Sequence, residues 1–509
     1  MSAKPGEYVT SAIEEYVGIG KFQYRYVTAL CFTYGLVVIH TYSNMFASGD
    51  VAWHGSCPGS TDSLPCVEVE LHAPDNCSVP LELWHTGAPG ASIVGDFQLV
   101  CSRHGLLPQL GSIYFAGYAC GVVLCGNISD RLGRRWAYIL GYALILLGGF
   151  LAPLAPSWPV YAAARAFLGA GVAGCGLVSF VWATEFLDTK TRQVMCWLPN
   201  IAFSLGQSLA SPMAYYFPHW RHSLLACQLV SLIGLTYYCF LRESPQWLAS
   251  VGRLEEAHRV LKQMAKTNKR KAPPPPPTAL LDDKLLADNL SDDGSSAADS
   301  ADEGGTYMPA FCDARLRLRM VVMCLNWFGI AFAFYGLSLF SPNLPFTTYF
   351  ANILSALVAI PFYLLAPVLL DAPWCGRKGA IVSSLLIGGV LLVGSTWCEA
   401  QWLSITVYYV ANGSLSLAFA VLYIWAAELF PTDIRSRALS VQSVFARVGA
   451  VLTPYVVDLG SRSPALALCI FAAPCILAGL LDLLLPETCG APLAATIADM
   501  FAAGDHVFR

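Results

Sequence analysis

Charge is what this 509-residue sequence has least of. Asp, Glu, Lys and Arg make up 13% of it, against about 25% in soluble domains. With 56% hydrophobic residues beside that deficit, a soluble fold would leave too much apolar surface in water. The shortage excludes a soluble globular protein and points to a helical membrane protein that meets the lipid bilayer. A basic surplus is also missing: the net charge of −4 argues against a nucleic-acid partner. None of the 18 cysteines stands in a C-x-x-C pair, so no zinc, redox or other metal centre is expected. Nucleophile–base and phosphate-loop constellations are absent, so neither an enzyme nor a cofactor is expected. A cleavable leader is not expected either, because the first apolar run is too long for a signal core and follows a polar, partly acidic stretch.

What the sequence does have is long apolar runs. Six lie at roughly 26–47, 106–127, 137–155, 159–184, 194–217 and 223–241, and six more at 320–341, 348–370, 379–398, 402–427, 438–459 and 464–485. Each is long enough to cross a hydrocarbon core of about 30 Å at 1.5 Å per residue. The sequence therefore predicts an all-α membrane protein with twelve transmembrane helices. Residues 1–25 would be a polar terminus, 26–241 and 320–485 two six-helix halves, 242–319 a linker and 486–509 a second terminus. If both termini are cytosolic, the outer segments hold only Arg103, Arg221 and Arg462, and Arg165 and Arg447 fall inside helices. The other 25 of the 30 basic residues then lie on the inner side, as the positive-inside rule requires.

The polar segment 48–104 would be the large outer loop. It carries Cys57, Cys66, Cys77 and Cys101, which suit two disulfides in any of three pairings, and the glycosylation sequon Asn76-Cys77-Ser78. In the linker, apolar residues recur among charges over 243–265, as in an amphipathic surface helix. Pro273–Pro277 is a stiff polyproline stretch, and Asp282–Glu303 is acidic and rich in Ser and Gly. A disordered spacer is the plain reading; a cytosolic partner docking on 273–303 is the alternative.

Between the second and third runs lies a loop, Gly126-Asn127-Ile128-Ser129-Asp130-Arg131-Leu132-Gly133-Arg134-Arg135, and its landmarks recur. Gly133-Arg134-Arg135 is echoed by Gly376-Arg377-Lys378, and Glu185 with Arg192 by Glu428 with Arg435, each at an offset of 243 residues. Glu243-Ser244 is echoed by Glu487-Thr488, offset by 244. The chain is thus two homologous halves, and a parallel repeat of six helices is the plan of the major facilitator fold. Asp130, Arg131, Arg134, Arg135, Glu185, Arg192, Glu428 and Arg435 are expected to pair at helix ends when the inner side is closed and to part as the halves rock. Simple positive-inside anchoring is the competing explanation. One mismatch stands out: the position equivalent to Asp130 is Pro373.

These motifs resemble solute carrier family 22, the organic cation, anion and zwitterion transporters, over nearly the whole chain outside the acidic linker. Gly126–Arg135 is similar to its G-x-x-x-D-R-x-G-R-R loop, and Asp96-Phe97-Gln98-Leu99-Val100-Cys101 to its E-W-D-L-V-C segment. Leu241–Leu248 resembles P-E-S-P-R-W-L, and Glu428–Arg435 resembles E-L-Y-P-T-x-x-R. Within the family the chain is closer to the anion branch. Arg447 stands where, by that resemblance, anion transporters have arginine and cation transporters aspartate, and Ala359 replaces an acid of the cation branch. The resemblance implies a plasma-membrane transporter of small organic anions, working by alternating access as a uniporter or exchanger. Arg447 would hold the anion, Tyr215, Tyr335 and Phe419 would line the cavity, and His40 matches a family histidine. Arg447 also lies ten residues past Arg437, about 15 Å into the membrane. An arginine there costs roughly 2.5–3.5 kcal/mol on insertion scales and usually serves a pathway; satisfaction by carbonyls or an internal carboxylate is the plainer account. Two other functions stay open: a transport-deficient receptor or scaffold, in view of Pro373 and the neutral Asn412, and an organic cation or zwitterion transporter.

Overall fold

The computed structural model describes residues 5–49, 53–55, 84–86, 90–188, 191, 197–237, 241–276, 313–340 and 343–490. Arg192, Asn76, Cys57, Cys66, Cys77 and the linker from Pro277 to Glu303 lie outside the described residues. Among the described residues twelve long helices form two sets of six. The first set is α1 (Lys21–Ala47), α2 (Leu106–Leu132), α3 (Arg134–Leu154), α4 (Trp158–Thr184), α5 (Leu198–Tyr216) and α6 (Trp220–Tyr237). The second is α7 (Ala314–Leu339), α8 (Thr348–Asp371), α9 (Gly376–Ser395), α10 (Gln401–Glu428), α11 (Thr432–Arg462) and α12 (Pro464–Asp482). Among the described residues nine helices are long and apolar enough to cross a bilayer unaided. Of the other three, α1 and α5 bury polar groups such as His40 and Gln207 against neighbouring helices, and α6 is described only as far as Tyr237.

Helices approach closely where small residues line their seams. Gly117 and Gly121 of α2 lie directly on the backbone of Ala166 and Ala170 in α4, with no space for a Cβ. One end of the bundle carries the start of α1, the α2–α3 turn and most Lys and Arg; it is called the basic face below. The opposite, far face carries the described residues 53–55, 84–86 and 90–104. There Trp53–Gly55 pairs antiparallel with Trp84–Thr86, and Asp96 accepts a 2.9 Å hydrogen bond from Trp220 Nε1 at the start of α6.

Two sequence expectations change at the basic face. The amphipathic segment 243–265 is two helices, Pro245–Ser250 and Leu254–Thr267, broken where Gly252 adopts φ +72°. The polar N-terminal stretch is also folded, as a helix Pro5–Ser11 and a π-turn Ala12–Val17 whose Val9, Ile13 and Val17 are buried. It packs on those two linker helices. Asn268 pins the junction: its Oδ1 accepts from Phe22 N at 2.9 Å, and its Nδ2 donates to Gln23 Oε1 at 2.8 Å and to the Val17 and Gly18 carbonyls.

Tyr8 adds a titratable clasp. Its hydroxyl donates to the Pro274 carbonyl at 2.8 Å, so the 2.9 Å contact with His258 is Nδ1–H donating to the hydroxyl oxygen. His258 Nε2 is buried with no partner among the described residues. Burial first, then Lys262, hold the imidazole below its usual value of 6.5. A depressed histidine pKa means that the neutral ring is the docked form. The contribution is therefore intact above about pH 6.5 and is lost as pH falls through the lowered value. Amide exchange over residues 8–17 is expected to speed up several-fold between pH 7.5 and 5.5, after correction for intrinsic rates, and His258→Gln should flatten that dependence. Equal pH dependence in both proteins would refute the clasp.

Candidate transport cavity and helix-end latches

Between the two halves lies a cavity of about 660 Å³. Its walls run from Arg447, in the middle of the 31-residue α11, to Thr184, Asp371, Arg377, Glu428 and Arg435 at helix ends on the basic face. Towards the far face the halves are joined. Gln207 of α5 donates to Asn352 Oδ1 of α8 at 3.2 Å, and Asn352 Nδ2 donates to the Gln207 carbonyl and to Ser211 Oγ at 3.0 and 2.9 Å. Ser112 of α2 donates to the Val451 carbonyl of α11 at 2.7 Å. Phe46 stacks on Tyr349 at 5.4 Å, and His104 lies 3.6 Å from Asp458. The cavity therefore opens on the basic face.

Arg447 reaches into this cavity among four tyrosines, Tyr34, Tyr118, Tyr335 and Tyr423. Its guanidinium lies 4.8 Å from the centroid of the Tyr118 ring, a cation–π contact. Its Nε has no hydrogen-bond partner and it forms no ion pair among the described residues. Phe419 lines the cavity and stacks on Phe334 at 4.7 Å, with Tyr423 edge-on one helical turn away. Tyr335, expected to line the cavity, is not in its wall: it is 3% exposed and packed against Phe115 and Phe334.

Two further expected cavity residues also lie elsewhere. Tyr215 is 65% exposed at the far end of α5, edge-on to Tyr349 and Tyr216, whereas the α5 residues on the cavity are Pro199 and Asn200 at its other end. His40 is buried in the first half, its Nε2 2.9 Å from Ser231 Oγ and its carbonyl accepting from Arg165. Arg165 itself is 1% exposed and stacks over Tyr114 at 4.4 Å, so this pair belongs to the core. Sequence reasoning missed Tyr34, Tyr118 and Tyr423. Only Tyr423 had a local signal, its i,i+4 spacing from Phe419; Tyr34 and Tyr118 sit on separate helices, and no spacing connects them.

The stretch from Gly126 to Arg135 is a helix end and not a loop. Helix α2 continues to Leu132, a single residue turns the chain, and α3 begins at Arg134. That residue is Gly133, at φ +102°. A Cβ there would lie 2.6 Å from Glu243 Oε2, because the Glu243 carboxylate accepts from the Arg134 and Arg135 amides at 3.1 and 3.2 Å. The second half repeats the device. Gly376 has φ +65°, a Cβ on it would lie 2.5 Å from Glu487 Oε2, and Glu487 accepts from the Arg377 and Lys378 amides at 3.0 Å each. Each glutamate thus caps the exposed amides and positive dipole end of a helix start. This explains why Glu243 and Glu487 recur, a role the spacing alone did not give.

Each half also carries one arginine–glutamate pair. Arg134 Nη2 lies 2.6 Å from Glu185 Oε1, and its Nη1 donates to Asp130 at 2.9 Å and to the Ser129 carbonyl at 2.7 Å. Arg377 Nε lies 3.1 Å from Glu428 Oε2, and its Nη1 donates to the Leu370 carbonyl at 2.8 Å and to Cys489 Sγ at 3.2 Å. The Cys489 sulfur takes the place that Asp130 holds in the first half, so Pro373 does not dismantle the second pair. Both pairs join helices of the same half, and both are formed while the cavity is open at the basic face. In this open state they are formed, where the sequence reading expected them parted. Glu428 is not paired with Arg435, and Arg131 projects outward from the end of α2.

Two halves of six helices around a cavity open at one face define a multi-pass membrane transporter of the major facilitator type. A family model described as Sugar (and other) transporter matches residues 106–499. The Escherichia coli xylose transporter XylE, in a partially occluded inward-open conformation, superposes with a TM-score of 0.61 at 17% identity, covering 92% of this chain and 97% of that one. That likeness establishes the fold alone. Rattus norvegicus solute carrier family 22 member 12 is 32% identical over 417 residues, covering 81% of this chain and 73% of that protein. A Drosophila melanogaster organic cation transporter protein is 32% identical over 410 residues, covering 80% and 74%. The chain belongs to solute carrier family 22, and it is a transporter and not an enzyme.

Proposed function

We propose that this protein carries small organic anions across the plasma membrane by alternating access, with both termini and the basic face cytosolic. The supporting observation is Arg447. A guanidinium deep in the bundle, ringed by tyrosines and without a carboxylate partner among the described residues, is a receptor for a carboxylate or sulfate. An organic cation in the same cavity would meet like charge. At an effective dielectric of 20 and a separation of about 6 Å, that repulsion is of order 3 kcal/mol. Tyr118, Tyr423 and Phe419 would take the flat apolar part of the ligand. The names of the relatives include organic cation carriers, so substrate sign rests on the cavity and not on kinship.

The test is uptake of labelled aryl carboxylates, sulfate esters, quaternary ammonium ions and zwitterions into cells and into membrane vesicles. Anions should be carried and cations should not. Cation flux exceeding anion flux would reverse the assignment. Surface expression without flux of any class would favour the receptor or scaffold reading, including a partner on 273–303. Glycosylation at Asn76 and disulfides among Cys57, Cys66, Cys77 and Cys101 belong to the same plasma-membrane proposal.

A further inference from the structure

Arg435 sits at the cytosolic mouth of the cavity, and its sequence partner is already engaged. Glu428 spends its carboxylate on Arg377 Nε at 3.1 Å and Thr488 Oγ1 at 2.6 Å. Arg435 uses Nε on the Phe430 carbonyl at 3.2 Å. Its Nη2 is buried and has no hydrogen-bond partner among the described residues. The same residue lines the cavity that holds Arg447, twelve residues further along α11, or about 18 Å at 1.5 Å per residue. Two acids also border this mouth. Glu428 is paired, and Asp371 forms no ion pair among the described residues. The Glu428 carboxylate offsets part of the Arg435 charge, but the unpartnered donor on the cavity wall still favours an anion over water, because the guanidinium fork matches a carboxylate.

We propose that Arg435 is a second anion-binding residue, a cytosolic subsite for the carboxylate that Arg447 holds at mid-membrane. It rests on the anion reading above. In the cavity-open state it would catch a carboxylate arriving from, or leaving to, the cytosol, so that a ligand meets two arginines in sequence along one helix. Such a subsite acts on one side of the membrane only, which separates it from a gate. A gate residue changes turnover in both directions; a sided subsite changes apparent affinity at one face.

The experiment uses the full-length protein reconstituted in oriented proteoliposomes, with labelled benzoate as the probe. Arg435→Gln is expected to raise the KM at the cytosolic face about tenfold, with the outer-face KM within twofold of wild type. Arg435→Lys should recover most of that loss, and Arg447→Ala should raise both constants. Equal changes at the two faces, or a fall in kcat with both KM values unchanged, would overturn the subsite. Where benzoate is not carried, its binding is read as protection of the purified protein against heat. Protection retained in Arg435→Gln but lost in Arg447→Ala overturns this inference alone; no protection of the wild type at millimolar benzoate overturns it together with the anion reading.

Discussion

Arg447→Ala is expected to cut organic-anion uptake about 100-fold while leaving the protein folded and at the cell surface. The size follows from what is removed. Truncating one partner of a desolvated, hydrogen-bonded charge pair costs about 2–5 kcal/mol, and about 2.7 kcal/mol is a factor of 100. Arg447→Lys should fall between, near tenfold, because an ammonium keeps the charge but loses both the bidentate fork and the stacking over Tyr118. Stability should move the other way. The empty cavity holds a guanidinium whose insertion costs roughly 2.5–3.5 kcal/mol, so the alanine variant should unfold at the same temperature as wild type or a higher one. An arginine that served only to brace α11 would give the opposite pattern, with a lower unfolding temperature and uptake scaling with surface expression. Anion uptake within threefold of wild type in a well-expressed Arg447→Ala variant would refute the assignment.

Features carried by single helices were legible in the sequence, and features made by the meeting of helices were not. The twelve apolar runs gave twelve helices because a span must satisfy its own backbone and its length is set by the bilayer. The repeat at 243 residues marked equivalent helix ends in the two halves, but not which acid each arginine meets, Arg134–Glu185 and Arg377–Glu428. Arg447 could be placed because depth is a count along one helix. Tyr215 was misplaced because it was carried over by resemblance rather than by depth: it stands near the end of α5, while α5 meets the cavity at Pro199 and Asn200. Tyr34 and Tyr118 went unseen because their juxtaposition depends on the rotation of α1 and α2 about their axes. The docked N-terminal segment was invisible for a related reason: the contacts that order it come from His258 and Asn268, some 250 residues away in the chain. Gly126–Leu132 looked like a loop on its polar composition, yet nothing in it breaks a helix after Gly126, and the chain stays helical until Gly133.

Arg134→Ala is the substitution expected to cost the most stability, about 3 kcal/mol, because removing one member of a buried pair strands the other. The side chains of Arg134 and Glu185 are 10% and 12% exposed, and the same guanidinium also holds the Ser129 carbonyl at the end of α2. The loss therefore loosens three helix ends together: α2, α3 and α4. Glu185→Gln in the Arg134→Ala background should recover more than half of it, since the uncompensated charge is then gone. Arg377→Ala should cost about half as much. That pair is more exposed, at 16% and 20%, and Glu428 keeps the Thr488 hydroxyl as a fallback partner. Asp130→Asn should change stability by less than about 1 kcal/mol, because the Asp130 side chain is 78% exposed and water already screens it. Thermal unfolding of the four purified variants measures the order. It bears on the repeat directly, because the acid replaced by Pro373 in the second half is then the weakest member of the cluster. Its loss there, with the Cys489 sulfur in its place on Arg377, leaves the stronger arginine–glutamate bond and the Glu487 cap to hold the helix ends. An Asp130→Asn variant as unstable as Arg134→Ala would reverse that ranking and make the second half the defective one.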